Sequence, residues 1–332
     1  MKILTKLFFS ACAVPLLIVG CGGGGSEDRP DSVTSPNVNG TPSLDKLYTY
    51  QSTSSSEQVL SCSTLFLNSD SCDVADIKPI GADITGNISL QDIKNRLVVS
   101  HDWMANSFIA ALEEINDQDF LNLFKALNTI VISYDIRPSF YHSRTASIYI
   151  DARYLWRNSD EWAIIYAQDD YRKDYQTEFI FDAFLRYVDP SSNAYITSSN
   201  SYSASFYNNR TSAQIAPGLF RLLSHELAHA NDYLPPDLIS SLGDSGKIYD
   251  DYIYPNISIH EQLSDAIPLT SDLLYEAAEI AFHGAGMTDR IRVTSASEAG
   301  NAFDADGAAD LYGYSSPAED VAMLFEAFMM YK

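Results

Sequence analysis

The sequence has few basic side chains for its length. Its 332 residues include 21 Lys and Arg against 44 Asp and Glu, which gives a formal net charge of -23 at pH 7. Because nucleic-acid binding depends on basic side chains that contact phosphates, this balance excludes a nucleic-acid partner. The same charge favours solubility and cationic partners, including Ca²⁺.

Apolar runs long enough to span a membrane are also missing. Residues 7–19 form an apolar run of about 13 residues, whereas a membrane-spanning helix needs roughly 20. The run follows Lys2 and Lys6, an order typical of a signal peptide, which we predict over residues 1–20.

The end of this run, Val19 and Gly20 before Cys21, resembles a bacterial lipobox. The resemblance implies that Cys21 becomes the N-terminus and carries a lipid. Residues 21–44 are rich in Gly, Ser, Pro, Asp and Asn and are predicted to form a flexible tether. We therefore expect a lipid-anchored protein of the bacterial cell envelope, in the periplasm or at the cell surface. The absence of Asp directly after Cys21 favours the outer membrane.

Cysteine is scarce, with four residues in the whole chain. Cys12 belongs to the predicted signal peptide and Cys21 to the lipid site, which leaves Cys62 and Cys72. A single pair in an exported protein is expected to form a disulfide, worth about 2–3 kcal/mol for so short a loop. Two free thiols are the alternative.

The remaining sequence predicts an α+β domain. Residues 45–89 are polar and Ser-rich and are interpreted as an N-terminal extension, whereas residues 90–332 show helical spacing with a few β-branched runs and no βαβ alternation. Gly284 is the expected C-cap of one helix. The predicted helices are 90–99, 103–115, 120–127, 159–167, 177–188, 216–233, 271–283 and 317–331, the predicted strands are 129–136 and 146–154, and 189–215 is a long loop that could be a flap.

His225, Glu226 and His229 form an HExxH motif inside the apolar helix predicted over residues 216–233. Side chains four residues apart project from one helix face about 6 Å apart, so the two imidazoles can share one tetrahedral Zn²⁺. Glu226 lies about 100° further round the helix and can reach a water on the metal without binding the metal. The motif is short and also arises by chance. Its apolar neighbours, however, would leave these polar side chains buried without partners unless a metal or substrate bound them.

A third ligand must come from elsewhere, because Pro235 stands where a metzincin has its third histidine. Tyr312 and Glu319 lie in the sequence YGYSSPAED, downstream of HELAHANDY. Together the two motifs resemble those of gluzincin metallopeptidases related to the catalytic domain of anthrax lethal factor. The resemblance implies that Glu319 is the third zinc ligand and that the Tyr312 hydroxyl faces the reacting carbonyl. It also implies a zincin-like fold for residues 90–332, with the HExxH motif on a helix beside a small mixed sheet.

One position departs from that family, which usually has a second acidic residue one helical turn after the ligand. This chain has Met323 there. A partner that orients the ligand imidazoles must then come from elsewhere, and Asp320, Glu326 and Asp232 are the candidates.

Glu319 and Asp310 also have other interpretations. Ser316 and Glu319 match a capping box, in which Glu319 would only stabilise the start of the helix. Asp310 lies in GAADLYG, which resembles the aspzincin pattern with one residue fewer between Asp and Tyr, so Asp310 is the second candidate for the third ligand. Asp304, Asp306 and Asp310 could bind Ca²⁺ or could form a plain Asp/Gly turn.

These patterns predict a zinc-dependent peptidase that acts on a peptide or protein substrate. Glu226 would be the general base, and Tyr312, or alternatively Tyr314, would donate to the developing oxyanion. The strand at 146–150 is the candidate edge for binding an extended peptide. An enzyme acting on peptidoglycan cross-links and a non-catalytic zincin-fold lipoprotein that serves as a binding or adhesion module are the alternatives. No role is predicted for the other histidines, His101, His142, His260 and His283.

Overall fold

A mixed sheet of five strands organises the computed structural model, which describes residues 42–166, 175, 178–181 and 210–331. The central strands β2, β3 and β5 are parallel, and β1 and β4 add to the two edges in the antiparallel direction, in the order β1-β2-β3-β5-β4. The predicted α+β class with a small mixed sheet is confirmed. The strands are β1 (Tyr48–Thr49), β2 (Leu97–Val99), β3 (Thr129–Ser133), β4 (Phe140–His142) and β5 (Ser147–Asp151).

Helices supply most of the regular structure among the described residues. The α-helices are α1 (Ser56–Cys62), α2 (Leu90–Lys94), α3 (Asp102–Ile115), α4 (Gln118–Asn122), α5 (Ser159–Tyr166), α6 (Ser212–Tyr233), α7 (Pro236–Ser240), α8 (Ile259–Ala266), α9 (Asp272–His283), α10 (Asp289–Val293), α11 (Ala296–Asp306) and α12 (Pro317–Tyr331). Short 3₁₀ segments occur at Leu65–Asn68, Ile80–Ala82, Leu123–Ala126, Ala152–Tyr154 and Leu311–Tyr314, and a π-helical segment occurs at Ile248–Ile253.

Both faces of the sheet are covered, and every residue of β2, β3, β4 and β5 is buried, whereas Tyr48 of β1 is exposed. On one face, α3 packs against β2 and β3, α6 packs against β4 and β5, and the two helices pack against each other. On the other face, Phe66 contacts Phe140 and Tyr149, whose rings stack with centroids 4.6 Å apart. Because successive strand residues point to opposite faces, an apolar run such as that of β3 places side chains in both layers.

Residues 45–89, interpreted from the sequence as an N-terminal extension, belong to this same core. They contribute β1, which pairs with β2, and the hydroxyl of Tyr149 on β5 donates a hydrogen bond of 2.8 Å to the Ser63 carbonyl. Cys62 and Cys72 form the predicted disulfide, with their Cα atoms 5.3 Å apart. The backbone N–H of Cys72 donates to the Arg144 carbonyl in the turn between β4 and β5. The disulfide-bonded loop is therefore tied directly to the sheet.

The edge of the sheet differs from the prediction. The segment at 146–150, proposed as the edge for an extended peptide, lies largely in β5, which is flanked by β3 and β4. The edge strand next to β5 is β4, which carries Tyr141 on the face that packs against α6. A strand of three residues gives too short an alternation to be recognised in the sequence.

Several element boundaries differ from the predictions: the strand expected over 129–136 ends at Ser133, and the helix expected over 120–127 is α4 followed by a 3₁₀ segment. The helix expected over 90–99 ends at Lys94, and Leu97–Val99 forms β2, which pairs with β3. The helix expected from residue 216 begins at Ser212, because Thr211 and Gln214 form a capping box. Gly284 caps α9 in the left-handed conformation, with φ 72°, as predicted.

Several predicted features lie outside the described residues. They are the signal peptide at 1–20, the lipid site at Cys21, the tether up to residue 41, and most of both the helix at 177–188 and the loop at 189–215. Among the helices that the structure describes, none combines the length and the hydropathy needed to cross a bilayer.

Candidate metal centre

The helix α6 forms the base of the candidate site. Its first turn is closed by the Gln214 backbone N–H, which donates to the Thr211 hydroxyl, and by the Thr211 N–H, which donates to the Gln214 side chain. The helix ends at Tyr233 and is capped by Leu234, before the sequence Pro235-Pro236, which cannot continue it. Since α6 packs between α3, the sheet and α12, most of its second half is buried.

His225 and His229 project from one face of α6, as their spacing predicts. Their ring centroids lie 5.0 Å apart, and the two residues are only 1% and 5% exposed. Glu319, in the first turn of α12, places one carboxylate oxygen 2.9 Å from His225 Nε2 and 3.2 Å from His229 Nε2. One potential ligand atom from each residue lies within 4.8 Å of the others, so the three could hold a metal ion.

Glu319 and Ser316 have different roles at the start of α12. The hydroxyl of Ser316 accepts a hydrogen bond of 3.2 Å from the Glu319 N–H, so Ser316 caps the helix. The carboxylate of Glu319 does not complete a capping box, because its Oε2 lies between the two imidazoles. The backbone N–H of Glu319 therefore takes part in helix capping, whereas its carboxylate is a candidate metal ligand.

His225, His229 and Glu319 bring three titratable groups together in a buried site, and each shifts the pKa values of its neighbours. Burial by itself lowers the pKa of His225, but hydrogen bonds to Glu319 and Glu326 outweigh burial and raise it to about 10. Burial raises the pKa of Glu319, but the neighbouring His229 and His225 outweigh it and lower the pKa to about 2. The carboxylates thus favour positive charge at this point, as a cation site requires.

Glu226 is fully buried beside the histidines. Its position, one residue after His225 on α6, turns it away from the face that the two ligand imidazoles share. Its negative charge contributes to the raised pKa of His225. The arrangement therefore places a second carboxylate near the site, in addition to that of Glu319.

Tyr312 also reaches the site, whereas Tyr314 does not. Tyr312 lies in the 3₁₀ turn before α12, and its ring centroid is 5.9 Å from that of His225 and 4.7 Å from that of Phe282. The Tyr314 hydroxyl donates a hydrogen bond of 2.8 Å to Asp306, which leads it away from the histidines. Of the two predicted oxyanion donors, the structure places only Tyr312 beside the candidate ligands.

Glu326 contacts the outer nitrogen of a candidate ligand. Its Oε2 lies 3.5 Å from His225 Nδ1, and its Oε1 accepts a hydrogen bond of 2.6 Å from Arg221. Glu326 follows Glu319 by two helical turns, so both carboxylates share the face of α12 that packs on α6. Arg221, one turn before His225 on α6, is a member of this network that the sequence analysis missed.

The other candidates for orienting the imidazoles have different partners. Asp232 accepts hydrogen bonds from the backbone N–H and Nδ1 of His260, so the structure places it against His260 and not His229. Asp320 has no contact with either ligand histidine among the interactions of the described residues. Met323, at the position where gluzincins usually have an acidic residue, is buried in the main core.

The carboxylates of Asp310 and Asp306, considered above as alternative metal ligands, accept hydrogen bonds from other groups of the protein. Asp310 accepts a hydrogen bond of 2.8 Å from the Tyr312 N–H and caps the 3₁₀ turn, and burial raises its pKa to about 6. Asp306 accepts hydrogen bonds from Thr270, Ser271 and Tyr314. In the part of the chain that the structure describes, the predicted Ca²⁺ site therefore does not form a ligand cluster.

Comparison with known proteins gave no relative: the chain matched no protein family, no curated protein and no solved structure. The resemblance to gluzincins therefore depends on the two motifs and on the geometry that they form in this fold.

Proposed function

We propose that the protein is a zinc-dependent peptidase of the gluzincin type. The observation that carries the proposal is the convergence of His225, His229 and Glu319 on one buried point, although Glu319 lies on a different helix. Two histidines and one glutamate form a known ligand set of catalytic zinc sites, in which the fourth position is kept for water.

The chemistry of the donors fits zinc. Neutral imidazole and carboxylate are both ordinary zinc ligands, whereas Ca²⁺ and Mg²⁺ are bound through oxygen ligands. The Nε2 atoms of both histidines point to the same carboxylate oxygen, and Glu326 contacts the Nδ1 of His225. A carboxylate on Nδ1 fixes the tautomer in which Nε2 is the ligand atom.

Glu226 and Tyr312 would then have separate roles in peptide hydrolysis. A zinc ion at this site would supply the acidity that brings the pKa of a bound water toward neutral pH. Glu226 would take the proton of the attacking water and deliver it to the leaving amine. Tyr312 would donate a hydrogen bond to the carbonyl oxygen as negative charge develops there.

We also propose that the enzyme works outside the cytoplasm, held to a membrane by a lipid on Cys21. The support comes from the order of charged, apolar and flexible segments in residues 1–44. A disulfide between Cys62 and Cys72 suits an oxidising compartment. A lipid on residue 21 would place the domain on a tether, near peptide or protein substrates in the cell envelope.

Metal analysis and a peptidase assay on the purified protein test the proposal together. We expect about one zinc per chain and hydrolysis of unstructured peptides that stops when a chelator removes the metal. Hydrolysis of peptidoglycan cross-links but not of peptides would assign the same chemistry to the cell wall. A protein with neither zinc nor hydrolysis would contradict the proposal and favour a binding or adhesion module.

A further prediction concerns Glu326. Replacing Glu326 with Gln should weaken zinc binding about 10–100-fold, because His225 would lose the carboxylate that orients its ring. Competition with a chromogenic chelator gives the dissociation constant. The matched control is Asp320→Asn, which removes a carboxylate from the same helix without touching either histidine. Equal zinc affinity in both variants would show that Glu326 serves the fold alone.

A further inference from the structure

A second concave site lies at the C-terminal end of α6. It is a pocket of about 370 Å³, and Tyr233 forms part of its wall. Tyr233 follows His229 by four residues on the same helix, so it continues the face that carries the candidate zinc ligands. The pocket therefore begins one helical turn beyond those ligands.

The surrounding elements connect this pocket to the proposed active site. Its far wall includes His260 and Glu261 of α8, and α8 packs against α12, the helix that carries Glu319. The ring of Tyr141, on the edge strand β4, stacks on that of Tyr233 with centroids 5.8 Å apart. The pocket is thus in contact, through its lining residues, with β4 and with α12, the helix that carries Glu319.

The wall formed by His260 is fixed by hydrogen bonds. Asp232 accepts from His260 Nδ1 at 2.5 Å and from its backbone N–H at 3.0 Å, and the His260 ring lies edge-on to Tyr233 at 5.3 Å. Ser258 caps α8 through the Glu261 N–H, and the Glu261 side chain accepts from Ser258 in return. These contacts give the pocket a defined shape before any ligand binds.

The pocket lining combines negative charge with aromatic rings. Asp237 and Glu261 both belong to the lining, which contains no Lys or Arg, and the aromatic walls are Tyr233, Tyr249 and Tyr254. Arg144 packs on the Tyr249 ring from outside the lining and is paired with Asp250. Carboxylates bind a cation directly, and tyrosine rings attract one through their faces.

We propose that this pocket binds a basic side chain, Lys or Arg, of the peptide substrate close to the cleaved bond. The proposal rests on the peptidase function proposed above. The pocket volume of about 370 Å³ lies at the lower end of the range for small-ligand sites, so it suits one side chain. Substrate selection would then depend on Asp237 and Glu261, neither of which is a candidate zinc ligand.

Cleavage of a peptide library tests the selection. With peptides that differ only at the residues flanking the cleaved bond, Lys or Arg should be preferred to Glu in kcat/KM by at least about tenfold. The double variant Asp237→Asn, Glu261→Gln should bring this preference close to one, and Gln at 261 preserves the capping box. Asp265→Asn, an exposed residue of α8 outside the lining, is the matched control and should keep the preference.

Binding of a small cation gives a second measurement that needs no turnover. Butylguanidinium should bind the wild-type protein in ligand-observed NMR, whereas its neutral isostere butylurea should not. The double variant should lose this binding, and Asp265→Asn should retain it.

The outcomes separate the two proposals. Peptide hydrolysis without a basic preference overturns the pocket proposal and leaves the peptidase intact, as does a preference that survives in the double variant. The absence of both zinc and hydrolysis overturns the peptidase, and with it the role of the pocket in substrate selection. Butylguanidinium binding that depends on Asp237 and Glu261 would then still identify the pocket as a cation site.

Discussion

Replacing Glu226 with Gln is expected to lower kcat of the peptidase by a factor on the order of 10²–10⁴, while one zinc per chain remains bound. Glutamine has nearly the same shape as glutamate but cannot take a proton from water. Glu226 is fully buried, so solvent cannot easily replace it as a base at that position. The change leaves the three candidate metal ligands, His225, His229 and Glu319, unaltered.

The measurement is kcat for a cleaved peptide, with zinc content determined on the same preparations. Glu113→Gln, at an exposed position of α3, makes the same chemical change away from the site and should leave kcat unchanged. Full activity in the Glu226 variant would exclude the proposed base. Loss of zinc from that variant would show instead that Glu226 helps to build the metal site.

Replacing Glu319 with Ala is expected to weaken zinc binding by more than the roughly 10–100-fold that loss of an outer partner causes. The change removes the only carboxylate that contacts the Nε2 atoms of both His225 and His229 in the described structure. A two-histidine site would remain, with one protein ligand fewer than catalytic zinc sites have. Zinc titration against a competing chelator measures the effect.

Ser316→Ala separates this role of Glu319 from helix capping. Ser316 accepts the hydrogen bond from the Glu319 N–H, so its loss should lower the free energy of unfolding by about 1 kcal/mol and leave zinc affinity unchanged. If Glu319→Ala reproduced this pattern, with reduced stability and normal zinc binding, Glu319 would be a capping residue and the metal centre would need another third ligand.

The sequence was enough to pair His225 with His229, which lie on one helix, but it left alternatives for the third ligand. His225 and His229 could be paired because helical periodicity places residues four apart on one face. Glu319 could not be distinguished from a capping residue by local pattern, since the partner that decides its role lies on α6, in a separate part of the sequence. The resemblance to gluzincins favoured the assignment that the geometry now supports.

The acidic residue that contacts His225 Nδ1, Glu326, lies at a different position of α12 from the one that the gluzincin pattern predicts. Gluzincins usually have the second acidic residue one turn after the ligand, and this chain has Met323 there. Two turns after the ligand is also the same face of a helix, so Glu326 reaches His225 from the next position along α12. Periodicity leaves both positions open, and the packing of α12 on α6 decides between them.

The sheet was the harder part to predict. Leu97–Val99 continues the apolar spacing of α2, so local pattern alone assigned it to a helix, but pairing with β3 makes it a strand. Likewise, β4 is defined by its partner β5 and not by any alternation of its own. Such long-range pairings override local propensity because they bury backbone and side chains together.

The contacts of Ser43 and Leu44 mark the point at which the proposed tether ends and the folded part of the protein begins. The Ser43 N–H and hydroxyl both donate to Asp135, and Leu44 is buried in the main core. With the proposed lipid on Cys21, a protease that cuts between Cys21 and Thr41 would release all of the fold that begins at Pro42. A cut after Thr49 would leave β1 on the N-terminal fragment, so the position of the cut decides whether the released protein keeps the strand that pairs with β2.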